Sequence, residues 1–160
     1  MKTINAIIIA GVMICSGLSS CSKQVSEPTG RGGGNGSQGS IQSVAGSDWF
    51  IASWQQQGEI NVFTRDVPQL TADILKDGKV LVFGKGGFEE TNPTPLPCSL
   101  DANYIAKSIE VGDLRLVLQG SGAISTSLQF RCILVPANKL ASTLNYEDYD
   151  AVCNYYNIAK

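Results

Sequence analysis

The chain has 160 residues, a formal net charge of −2 from 12 basic and 14 acidic side chains, and no histidine. No basic stripe marks a nucleic-acid partner, and without histidine there is no Ser-His or Cys-His nucleophile pair and no zinc site of the usual histidine-bearing kinds. Composition therefore points to no catalytic residue, no metal and no cofactor, and the length suits one domain once the leading segment is set aside.

That leading segment carries one charge, Lys2, and then the apolar run "INAIIIAGVMICSG" of 14 residues. A membrane-spanning helix needs roughly 20, so residues 1–20 read as a secretory signal peptide. The run closes on "LSSC", Leu18 to Cys21, which resembles the lipobox of bacterial lipoproteins. The resemblance implies a diacylglyceryl thioether on Cys21, cleavage between Ser20 and Cys21, and a fatty acyl group such as palmitate on the new amine. One acyl chain holds a protein marginally and two or more hold it durably, so a membrane is the expected partner, reached through lipid on Cys21. The expected address is the cell envelope. The outer membrane is favoured, because Ser22 stands where an Asp retains some lipoproteins at the inner one.

Residues 21–47 are rich in Gly and Ser and poor in large apolar side chains. Such a stretch cannot bury enough surface to offset its ordering entropy, and it reads as a flexible tether with a root-mean-square reach of about 30 Å. Gly30, Gly33, Gly36 and Gly39 recur at every third position. Without proline and with so few triplets they cannot build a collagen triple helix.

From Asp48 the composition turns β-like. "WFIASW", "INVFTR" and "KVLVFGK" read as strands, and "LPCSL" as a short edge strand, since Pro97 has no donor for a ladder. "DLRLVLQG" sets Leu114, Leu116 and Leu118 on one face, and "SLQFRCILV" does the same with Leu128, Phe130, Cys132 and Leu134. Such alternation predicts sheets covered on one side only. A short helix is expected near 70–77, with Thr71 as cap and Gly78 as stop, and a C-terminal helix near 146–156, with Asn145 as N-cap and a stripe of Tyr146, Tyr149, Val152, Cys153 and Tyr156. The predicted fold is mostly β: a single antiparallel β-sandwich over 48–160 with these two helices.

Several groups are candidates for chemistry. Cys98, Cys132 and Cys153 form an odd set beyond the signal, so at most one internal disulfide can close. Trp49 and Trp54 are five apart, which on one strand would point them to opposite faces. One of them could then join Tyr104 or Phe88 in an aromatic platform for a ligand. Glu89 and Glu90 are adjacent in a loop, a poor arrangement for acid/base work across one bond. Asp101 to Asn103 with Asp113 lack the spacing of a calcium loop. "FGKGGF" reads as a hairpin turn and not a phosphate loop, and "GSGAIS" around Ser121 lacks the frame of a nucleophile elbow.

The order "DWFIASW", "VPQLTADILKDGKVLVFGK", "LPCSL", "FRCILVP", "YEDYDAVCNYYNI" resembles an uncharacterised group of small Bacteroidota lipoproteins, over roughly residues 40–158. Some of that group carry collagen-like Gly-x-y tracts, which would account for the glycine period. The resemblance implies architecture and address but no activity. It also implies a pairing: similar proteins tend to hold an aromatic residue where Cys98 and Cys132 stand, so a joint change to cysteine favours a Cys98–Cys132 disulfide. The expected function is that of a lipid-anchored, non-enzymatic binding or structural module that contacts an envelope protein or glycan. The alternative is a glycan-acting enzyme that uses carboxylates alone.

Overall fold

The structure, a computed structural model, describes residues 43–87 and 92–160. The expected signal peptide, Cys21, the glycine-rich stretch to residue 42, and the loop residues Phe88, Glu89 and Glu90 lie outside the described residues. In chain order the elements are β1 (Ala45–Gly46), β2 (Phe50–Ile51), β3 (Gln55–Gln57), β4 (Ile60–Asp66), α1 (Ala72–Asp77), β5 (Lys79–Lys85), β6 (Thr94–Pro95), β7 (Cys98–Leu100), β8 (Asn103–Glu110), β9 (Asp113–Gly120), β10 (Gln129–Val135), a 3₁₀ turn (Ala137–Lys139) and α2 (Tyr149–Tyr156). They build two five-stranded antiparallel sheets. One runs β1-β10-β5-β6, with β2 also paired to β10, and the other runs β3-β4-β9-β8-β7. The predicted mostly-β, sandwich-like architecture is present.

The hairpins set the register. Between β7 and β8 a two-residue turn, Asp101 (φ 50°) and Ala102 (φ 60°), pairs Leu100 with Asn103. Positive φ at both central positions is the turn geometry whose twist matches that of flanking strands. Gly112 (φ 83°) serves the β8–β9 turn, which sets Glu110 opposite Asp113. The inner faces then follow: Leu114, Leu116, Leu118 and Ile105 of the second sheet meet Val82, Phe130, Cys132 and Leu134 of the first.

The expectation of one covered face holds for β9, whose Leu114, Leu116 and Leu118 are buried while Arg115 and Gln119 are exposed. It fails for β10, which is buried on both sides from Phe130 to Val135. Its alternate residues Ile133 and Val135 pack with Phe83 against Tyr149, Val152 and Cys153 of α2. The order of layers is therefore sheet, sheet, helix, and the first sheet is the middle layer.

Cap chemistry explains the helix bounds. Thr71 Oγ1 accepts from the Ile74 amide at 3.4 Å and starts α1 as expected. Gly78 stops it: a Cβ there would lie 2.6 Å from the Val135 carbonyl oxygen. For α2 the cap is Asp148, whose Oδ1 accepts from Ala151 N at 2.9 Å. Asn145 instead turns the chain by accepting from Glu147 N at 3.1 Å, so the helix begins later than predicted. Two nearby Asx residues competed, and the one three positions before an available amide became the cap. Tyr146, outside the helix, still anchors it: its hydroxyl accepts from Ala141 N at 2.7 Å and lies 3.0 Å from that of Tyr156, which donates to the Lys139 carbonyl at 2.7 Å.

The domain also begins earlier than the predicted boundary at 48. Ala45 and Gly46 pair with Leu134 and Ile133, and Ser47 N donates to the Cys132 carbonyl at 2.8 Å. Pairing resumes at Phe50 with Phe130, so three steps on this strand answer two on β10. The extra residue is a bulge, and it turns Trp49 toward the helix side, where it packs with Tyr149 at a ring separation of 5.5 Å.

Arg131 locks these parts together. It is 6% exposed, and among the described residues no carboxylate lies within ion-pair distance. Its Nε donates to the Ser47 carbonyl at 2.8 Å, and its Nη1 donates to the Tyr149 hydroxyl and the Ala159 carbonyl at 2.6 Å each. Replacing it orphans two carbonyls and a phenol at about 1 kcal/mol or more each. Arg131→Met is therefore expected to lower urea stability by at least about 2 kcal/mol, with Arg131→Lys recovering only part because an ammonium lacks the planar fork; an unchanged urea midpoint for Arg131→Met would show that the guanidinium is not the lock.

Candidate functional site

The structure does not assemble the predicted aromatic platform. Trp49 and Trp54 are not on one strand, because Trp49 lies in the bulge before β2 and Trp54 in the irregular segment 52–54 that carries the chain from the first sheet to the second. They do point to opposite sides, but both sides are covered. Trp49 packs under α2 with Lys85 Nζ 4.0 Å from its ring centroid, and its Nε1 is buried with no hydrogen-bond partner. Trp54 meets Phe63 and Phe130 edge-on between the sheets. Only Tyr104, 46% exposed, faces solvent, while Phe88 lies outside the described residues.

Nor does the structure join Cys98 to Cys132. Cys132 is a thiol, 3% exposed, and the charges that act on it are Lys107 of β8 and Arg65 of β4, which places it over the middle of the second sheet. Cys98 pairs with Ile105 on β7, the outermost strand of that sheet. Cys153 is on the buried face of α2. Burial pushes the Cys132 thiol up to about 11, against the weaker pull of the two cations, and burial likewise lowers the pKa of Lys107. Buried thiols of this kind are inert.

The remaining candidates are separated as well. Asp101 occupies the β7–β8 turn and Asp113 starts β9. Among the described residues no group of three acidic, cysteine or histidine side chains could hold a metal ion. Lys85, expected in a hairpin turn, is instead the last residue of β5, and its Nζ lies over the Trp49 ring.

What the fold does bring together is a face that no single segment announces. Residues directly opposite in antiparallel strands share a face, so the register can be read across the second sheet. Its outer side carries Gln57, Ile60, Gln119, Tyr104 and Ser99 in one row through all five strands. At about 4.8 Å per strand the row is about 19 Å long. Below it lie Gln55, Val62, Val117 and Ala106, then Thr64, Arg115 and Ser108, then Asp66, Asp113 and Glu110. The face thus grades from amides and a phenol, through a short apolar band, to hydroxyls and carboxylates. A depression of about 170 Å³ opens on it, lined by Thr64, Ser108, Glu110, Asp113 and Arg115. The alternation in "INVFTRD" and "NYIAKSIE" holds the signal for this face, but it becomes a surface only once register aligns the strands.

The shift at Cys132 has a sign. A thiol whose folded pKa exceeds its ordinary value near 9 contributes stability that is intact below pH 9 and is lost as pH rises toward 11. Denaturant titrations should therefore show a fall of about 2–3 kcal/mol across that window which Cys132→Ala lacks; parallel profiles would mean the thiol is not desolvated in solution.

Comparison with protein-family models, with curated proteins and with solved structures finds no match to this chain.

Proposed function

We propose that the chain is a lipid-anchored envelope protein whose domain binds an extended, uncharged glycan on the outer face of the second sheet, without catalysing its breakdown. The leading segment and its "LSSC" close support the anchor, and the order of segments supports membership of the Bacteroidota lipoprotein group. The observation that carries the binding reading is the row Gln57–Ile60–Gln119–Tyr104–Ser99. Amides and hydroxyls offer both donors and acceptors, as sugar hydroxyls require, and the exposed Tyr104 ring supplies an apolar face with a polar tip. Charge is confined to the opposite end of the face. A strand-spanning row also suits a polymer better than a compact ligand.

Two experiments test the two halves. Metabolic labelling with a clickable fatty acid should mark the parent and leave Cys21→Ser unmarked; equal labelling of both would end the anchor. In affinity electrophoresis through envelope polysaccharides the parent should be retarded, and Tyr104→Ala or Gln119→Ala should weaken retention about tenfold, which corresponds to about 1.4 kcal/mol. No retardation of the parent by any neutral polysaccharide, with a protein recovered on cross-linking instead, would replace the glycan with a protein partner.

A further inference from the structure

A second cavity, of about 200 Å³, opens away from the outer face, between the edge segment Ala45–Asp48 and the end of β4, over β10. Its size is below the about 300–1,000 Å³ of drug-sized pockets and suits a small metabolite. From floor to mouth its lining changes character. Leu134, 3% exposed, lies at the bottom, with half-buried Ala45 and Val67 beside it. Arg65 is half-buried and Asp48 is exposed at the rim, while the side chain of Asp66, one position on from Arg65 along β4, belongs to the outer face.

The charges here are uncommitted. Arg65 rests on the Phe50 ring, its Cζ 4.1 Å from the centroid. Yet no carboxylate lies within 4.0 Å of it and no acceptor takes its N–H groups among the described residues. Asp48 likewise forms no ion pair there. One guanidinium fork and one carboxylate therefore line a single cavity without neutralising one another. A simple anion would meet the rim carboxylate, and a simple cation would meet the guanidinium. A ligand with both charges a few ångströms apart satisfies both, and the apolar floor leaves room for a hydrocarbon side chain.

We propose that this cleft binds a free aliphatic α-amino acid, its carboxylate on the Arg65 fork, its ammonium on Asp48, and its side chain against Ala45, Val67 and Leu134. A planar guanidinium holds a carboxylate through two parallel hydrogen bonds, and burial beside Phe50 strengthens that contact over one in open water. The site stands apart from the outer face and does not depend on glycan binding there.

Isothermal titration of the full chain in detergent with L-leucine tests the proposal. Saturable binding is expected with Kd between about 1 μM and 1 mM. On the unaltered protein, 4-methylpentanoate and isoamylamine keep the hydrocarbon and one charge each, and both should bind at least about tenfold more weakly. Arg65→Gln and Asp48→Asn should each weaken leucine binding by a similar factor. Absence of heat with any aliphatic amino acid up to about 10 mM, or a single-charge analogue that binds as tightly as leucine, overturns the proposal whether or not the variants fold.

Discussion

A guanidinium held away from water with only neutral oxygens around it is the constraint on which the domain's arrangement turns. Arg131 sits in the middle of β10, and its acceptors come from the edge segment at Ser47, from α2 at Tyr149 and from Ala159 near the chain's last residue. Burying a charge is costly unless it is fully hydrogen-bonded, so the three acceptors must be in place together. Burial and a hydrogen bond with Cys153 raise the pKa of the Tyr149 hydroxyl, with Arg131 pulling the other way, and the phenol stays neutral. The consequence is cooperative: the bulged edge strand, the helix and the last residues dock as one unit on the helix-facing side of the first sheet.

Docking makes the two sheets unequal. The first is covered by the second on one side and by α2 on the other, so its strands carry packing and little else. The second keeps a solvent face, and the polar rows gather there. Edge protection follows the same asymmetry. β7 covers only part of β8, and β6 only part of β5. Lys107 points inward from the uncovered part of β8 and donates to the Val80 carbonyl on β5 at 3.4 Å. An inward charge beside an open edge discourages addition of a foreign strand, which matters for a module with a broad exposed sheet.

Legibility was uneven for identifiable reasons. Leu114, Leu116 and Leu118 alternate with polar neighbours, and that local pattern survived folding unchanged. Phe130, Cys132 and Leu134 alternate in the same way, but Ile133 and Val135 between them are apolar too, and what covers them is α2, more than ten residues on. The same remoteness decided the tryptophans: Trp49 depends on Tyr149 and Lys85, and Trp54 on Phe63 and Phe130. The cysteine pairing failed because strand order, which no local pattern encodes, set Cys98 at a sheet edge and Cys132 over the sheet centre.

By itself the amino-acid order determined the properties that act over a few residues: the apolar N-terminal run that ends near Cys21, the β character of the domain, the Thr71 cap and Gly78 stop of α1, and the β9 alternation. Those depend on side-chain volume, backbone freedom and period, which are local. Only the tertiary structure decided which faces are wet, which aromatic rings are covered, and that Arg65 and Asp48 line one cleft. Each of those is a contact between segments far apart in the chain, and its energy exists only after register and layer order have been set.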